Sequence, residues 1–144
     1  MPTRNYTMLR LASCRLLVDS PAVLGLGLLQ EAAPNGRPGE WHDAQGRPIV
    51  AFDAALHADT ARRDWPRYVM LHGGRGGFGI ACDEAMPLHE SRVRLHALPR
   101  LARGVHSPVQ ALARIAVAGE TDLAFYVSLS ALARLHPGLK AVAG

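Results

Sequence analysis

Apolar residues in this chain fall in short runs, each bounded by turn-forming residues. Tyr6–Leu11 (YTMLRL) and Cys14–Val18 (CRLLV) are strand-length and separated only by Ala12-Ser13, which is the spacing of a β-hairpin. Asp19-Ser20-Pro21 interrupts the pattern and predicts one short helical turn, with Asp or Ser as cap before Pro. Val23–Leu29 follows. Gly25 and Gly27 disfavour a regular helix there, so this run is expected to be a strand or a bent connection.

Ala33–Gly39 (APNGRPG) carries the strongest loop signal, and Asp43-Ala44-Gln45-Gly46 marks a second turn. Pro48–Asp53 (PIVAFD) reads as a strand, Ala54–Ala58 as one helical turn, and His57–Pro66 as a polar surface connection. Arg67–His72 and Phe78–Cys82 flank Gly73–Gly77 (GGRGG) and form the clearest hairpin, since glycine alone adopts positive φ without penalty at such a bend. Leu88–Leu95 alternates as a half-buried strand does, and residues 97–108, with Pro99, Gly104 and Pro108, should be irregular. Ala111–Val117 and Leu123–Val127 flank residues 118–122 in another hairpin. Ser128–Leu135 closes the chain as a helix, with Ser128 or Ser130 as N-cap and His136-Pro137-Gly138 as its stop. Eight to ten short strands with Gly-rich turns and little helix indicate a β-barrel or sandwich.

Composition sharpens this picture. A chain of 144 residues that is 49% hydrophobic has the length of one domain, or of two small lobes sharing a core. Only 6% of residues are aromatic, so the core is built from aliphatic side chains and stacking platforms for single-stranded nucleic acid are scarce. The net charge of +4 raises nucleic-acid binding as an alternative. Apart from Lys140, however, every basic residue is an arginine scattered between Arg4 and Arg134, with only Arg62 and Arg63 adjacent. Phosphate recognition concentrates charge on one face. The first twenty residues hold no apolar stretch of signal-peptide length, and the longest apolar run, Ala22–Leu29, is too short to span a bilayer. The expectation is a cytoplasmic protein without membrane insertion.

The candidate chemistry is sparse. Gly74-Arg75-Gly76-Gly77-Phe78-Gly79 matches G-x-G-x-x-G in form, but a phosphate site needs a helix N-terminus after the glycines, and here a strand follows. The seven histidines, expected to be mostly exposed, include no H-x-x-x-H pair and none at ligand spacing from a cysteine or carboxylate. Cys14 and Cys82 have neither C-x-x-C spacing nor a framework of further cysteines, and read as small apolar residues. No G-x-S-x-G elbow occurs. Asp83-Glu84 is an adjacent carboxylate pair, but neighbours in an extended chain point to opposite faces, so it reads as a strand-end turn at the surface. Arg62-Arg63-Asp64 reads as a solvated loop. No cofactor, metal or catalytic residue is expected.

Two segments carry a family resemblance. Gly46-Arg47-Pro48-Ile49-Val50-Ala51-Phe52-Asp53 resembles the "R-G-x-v-i-P-v-i-D-L" segment of CheW-type chemotaxis coupling proteins, with glycine and aspartate at the same separation. Phe78-Gly79-Ile80-Ala81-Cys82-Asp83-Glu84-Ala85 resembles the family's "v-G-l-l-V-D-e-V". Leu112–Leu132 is similar to the family's last hairpin and helix, and the opening hairpin stands where its first strands would. The departures are Gln45 for the family arginine, Val50 for its proline, Ala54 for the leucine after the aspartate, and Ser128 near the late aspartate position. The connection between Leu29 and Gly46 is also shorter than usual.

The resemblance implies a mainly β fold over residues 1–144: a single domain of two SH3-like five-stranded β-barrel lobes, intertwined in sequence, sharing a hydrophobic core and ending in a short helix. It implies a non-catalytic adaptor in bacterial chemosensory signalling. One barrel would bind the regulatory domain of a CheA-type histidine kinase, and a groove between the barrels would receive the cytoplasmic tip of a chemoreceptor. Carried over by position, the protein-binding residues are Gln45, Gly46, Val50, Asp53, Gly79, Asp83 and Glu84. The rival expectation is a small basic β-barrel that binds nucleic acid.

Overall fold

The computed structural model describes residues 3–73, 76–98 and 107–140. The centre of the Gly73–Gly77 turn and most of the irregular stretch expected over residues 97–108 lie outside these. The N-terminal hairpin is β1 (Asn5–Arg10) and β2 (Arg15–Asp19), and a 3₁₀ turn at Ser20–Ala22 leads to β3 (Val23–Leu28). A second 3₁₀ turn, Leu29–Glu31, precedes the short β4 (Ala33–Pro34). Then come β5 (Glu40–His42), β6 (Pro48–Val50), β7 (Arg67–Gly73) and β8 (Gly76–Cys82). Next are β9 (Glu84–His89), a 3₁₀ turn at Glu90–Arg92, β10 (Val93–Ala97), β11 (Val109–Val117), β12 (Glu120–Val127) and helix α1 (Leu129–Leu135).

These strands form two six-stranded sheets, ordered β10-β11-β12-β2-β1-β9 and β3-β7-β8-β6-β5-β4. In each sheet the two edge strands are halves of one segment bent at a 3₁₀ turn: β9 with β10, and β3 with β4. Each sheet therefore curls back on itself, and counting the bent segment once makes each lobe five-stranded. Curling also spares both lobes a long flat edge open to aggregation. One parallel pair occurs in each sheet, β12 with β2 and β6 with β8. The first lobe thus joins the N-terminal hairpin to strands from the second half of the chain, while the second lobe is built from residues 23–82.

The apolar runs of β1 and β2 follow from burial on both faces. Tyr6, Met8 and Leu17 point into the first lobe, with Leu88, Ala113, Ile115 and Ala124. Leu9, Leu11, Leu16 and Val18 point the other way, into a cluster shared with Val69, Leu71, Phe78, Ile80 and Cys82 of the second lobe. Strands covered on both sides read as nearly continuous hydrophobic runs. Helix α1 leaves β12 and returns across the shared core with Leu132 and Ala133 fully buried. Its N-cap is Ser128, whose hydroxyl accepts the Ala131 N–H at 3.4 Å. The fold is the expected one: two barrel-type β lobes around a common core, with a short C-terminal helix.

Several local expectations are corrected. Ala54–Ala58 is not a helical turn. The Asp53 carboxylate accepts the N–H groups of Ala55 and His57, both at 2.9 Å, and that side-chain alternative holds an irregular loop in which Leu56 has φ 62°. Residues 88–95 are not one strand, because His89 Nδ1 accepts the Ser91 N–H at 3.1 Å and the chain bends there. The Pro48–Asp53 strand stops at Val50, and the loop taken to run from Ala33 to Gly39 holds the short β4 at its start. The 57–66 connection is not wholly at the surface, since Trp65 is buried. Among the histidines, His136 is buried against Phe52, ring centroids 5.4 Å apart.

Candidate partner-binding groove and the junction of the lobes

In β3 the solvent-facing residues are the large apolar ones. Leu24, Leu26 and Leu28 are 51%, 67% and 40% exposed, whereas Gly25 and Gly27 occupy the alternate positions. This inverts the usual pattern of a half-buried strand, and a contiguous exposed apolar strip marks an interaction surface. Gly27 leaves room for the Tyr68 ring, which lies against the strand where a Cβ would stand 2.5 Å from Tyr68 Cζ.

Leu26 and Leu28 form one wall of a groove of about 300 Å³, and Tyr68, Ala85 and the charged residues Arg67 and Glu31 complete it. Ala85 belongs to β9 of the first lobe, and the others to the second, so the groove runs along the line where the lobes meet. Its lining is mostly apolar, with one acid, Glu31, and one base, Arg67. Among the described residues, no three His, Cys, Asp or Glu side chains gather closely enough to hold a metal ion.

Beside this line the chain passes from one sheet to the other at Asp83, between β8 and β9. Arg62 reaches back to it, donating from Nη1 to Asp83 Oδ2 at 3.0 Å and from Nη2 to Oδ1, and donating from Nε to Asp64 at 2.9 Å. The guanidinium also lies 3.9 Å from the centre of the buried Trp65 ring. Ion pairing with Arg62 holds the Asp83 carboxyl below the usual carboxylate range despite opposing desolvation. The Asp83 N–H donates to the Arg10 carbonyl at 2.8 Å, which ties the crossing to β1. Glu84 pairs with Arg10 across β1 and β9 at 3.6 Å, with both side chains nearly half exposed.

The residues carried over from the resemblance thus occupy three places. Gln45 and Gly46 form the exposed tip of a turn built on Asp43, whose Oδ1 accepts the N–H groups of Gln45 at 3.0 Å and Arg47 at 2.8 Å. Arg47 Nε donates to Oδ2 at 2.8 Å. Burial pushes the Asp43 carboxyl up, but those hydrogen bonds outweigh it and leave the carboxyl below its ordinary range. Gly46 has φ 78°, which explains glycine there. Val50 and Gly79 lie inside the second lobe, where β6 runs parallel to β8 and a Cβ on Gly79 would meet Ile49 Cγ1 at 2.9 Å. Asp53 caps the loop after β6, and Asp83 and Glu84 stand at the junction. The sequence reading missed the leucines of β3 and the reach of Arg62. The alternation of Leu with Gly in VLGLGL was the available signal for the first, while the second joins residues 21 apart and has no local signature.

No family model matches the chain, and no curated protein matches it. Among solved structures, the scaffolding protein TtCheW from Thermoanaerobacter tengcongensis is similar in fold at 13% sequence identity. The match has a TM-score of 0.56 and covers 89% of this chain and 91% of that one. The fold of this chain is the CheW-type two-lobed β fold.

Proposed function

We propose that this protein is a non-catalytic adaptor of a bacterial chemosensory system, acting in the cytoplasm to couple chemoreceptors to a CheA-type histidine kinase. The observation that carries the reading is the leucine-walled groove between the lobes of a CheW-type fold. A helical hairpin such as a receptor tip presents apolar side chains at i, i+3 and i+4, and a groove of this kind accepts them without chemical reaction. The exposed Asp43–Arg47 turn is the second contact, toward the kinase regulatory domain. Gln45 at its tip offers neither the charge nor the fork of donors of an arginine.

The test is binding of the purified chain to a receptor signalling-tip fragment and to a CheA-type regulatory domain encoded in the same genome. Leu26→Glu with Leu28→Glu is expected to weaken the receptor fragment about tenfold or more, since buried apolar anchors dominate interface energy, and to leave the kinase domain bound. Gln45→Arg is expected to tighten the kinase domain only. No measurable binding to either partner would overturn the reading.

A further inference from the structure

A second surface, on the first lobe and apart from the groove, has a composition that folding alone does not explain. Strands β10 and β11 pair so that Arg94 stands directly opposite Arg114, and Leu123 of β12 stands opposite Arg114 on its other side. All three side chains face solvent, Leu123 being 60% exposed. Arg92 sits one turn earlier, and with Ser91 and Thr121 the arginines line a shallow cleft of about 230 Å³.

Like charges placed opposite one another on paired strands destabilise the sheet, and among the described residues no carboxylate is paired with either arginine. The ion pairs among the described residues engage Arg4, Arg10, Arg15, Arg47 and Arg62, and none of them involves Arg92, Arg94 or Arg114. The neighbouring Asp122 is held by Arg15 at 3.4 Å. Arginines far apart in sequence are therefore gathered by β pairing into a cationic face with an exposed leucine at the β12 end of the Arg94–Arg114 row.

We propose that this face docks an acidic segment of a partner protein, with carboxylates accepting from Arg94 and Arg114 and an apolar side chain covering Leu123. Guanidinium forks match carboxylates in two-pronged geometry. The adjoining leucine favours a protein segment over nucleic acid, because a phosphate backbone would leave Leu123 uncovered and, among the described residues, the face presents no exposed aromatic ring for stacking.

The test uses the full chain and three labelled probes in fluorescence anisotropy: a short peptide of glutamate, leucine and serine, the same peptide with glutamine for glutamate, and a single-stranded oligonucleotide of comparable length. The glutamate peptide should bind with an affinity that falls as salt rises. Arg94→Gln with Arg114→Gln should weaken it about tenfold or more, and Leu123→Ala should weaken it by a smaller factor. The glutamine variants leave the strands uncharged and test the proposal even where Arg94→Glu with Arg114→Glu fails to fold. Equal binding of the glutamine peptide, tighter binding of the oligonucleotide, or unchanged affinity in the double variant would overturn it. So would self-association of the chain that the double variant abolishes, which would assign the face to a second copy.

Discussion

Arg62 holds Asp83 at the point where the chain crosses from one sheet to the other, donating from Nη1 to Oδ2 at 3.0 Å while its guanidinium stacks on Trp65. The pair lies 21 residues apart in sequence and pins the 57–66 connection over the junction of the lobes. Both side chains are less than one-third exposed. Removing one partner therefore leaves the other poorly solvated.

Arg62→Ala is expected to lower unfolding free energy by about 1–3 kcal/mol in urea titration, through the unpaired Asp83 and the lost stacking. With Asp83→Ala, the double-mutant cycle should return a coupling of about 0.5–3 kcal/mol. The folded Asp83 carboxyl titrates below its unfolded value. Its contribution is thus complete above the ordinary carboxylate value near ~4 and is lost as pH falls through the lower folded value. The gap between wild type and Arg62→Ala should be constant at neutral pH and narrow in strong acid to the part due to stacking on Trp65.

His136 sets a second pH dependence. Its Nδ1 accepts the Gly138 N–H at 2.9 Å, an acceptor role that protonation removes. Burial lowers its pKa, and the nearby Glu40 opposes that shift only in part. Because the folded pKa lies below the unfolded one, stability is complete above roughly pH 6.5 and declines as pH falls from there toward the folded value. Urea midpoints measured across this range should show the decline, and His136→Phe should flatten it.

Gly79 of β8 stands opposite Ile49 of β6. Gly79→Ala would place a methyl 2.9 Å from Ile49 Cγ1 and 3.3 Å from Met70 Cε, an overpacking expected to cost about 1–3 kcal/mol. Chemical denaturation should show a lower midpoint with an unchanged slope.

The two thiols should differ in reactivity. Burial pushes the Cys82 thiol up to about 12, and burial also raises the thiol of the less enclosed Cys14. A thiol-exchange reagent at mild alkaline pH should label Cys14 first and Cys82 only at the rate of global opening, with both labelled at once in urea. Equal rates in the folded protein would contradict this burial.

The hairpins at β1–β2, β7–β8 and β11–β12, and the cap of α1, were legible because their signals are local. A turn residue such as Gly119 or a capping Ser128 acts on neighbours within a few positions. The kinks that split β3 from β4 and β9 from β10 were not, since they arise from sheet curvature and small side-chain hydrogen bonds such as that of His89 to Ser91. Val50 and Gly79 lie inside the second lobe and Asp83 at the junction, but the sequence could not say that the first two are enclosed and the third is held by Arg62.

By itself, the sequence determined that this is a β protein of short, aliphatic strands, because alternation, glycine turns and helix caps are properties of neighbouring residues. Tertiary structure alone decided which faces are free. The leucines of β3 and the arginines of β10 and β11 are ordinary strand residues until the packing of the two lobes sets Leu26 and Ala85 on one groove and sheet pairing sets Arg94 against Arg114. Burial and charge density are sums over residues distant in the chain, and only packing brings those residues together.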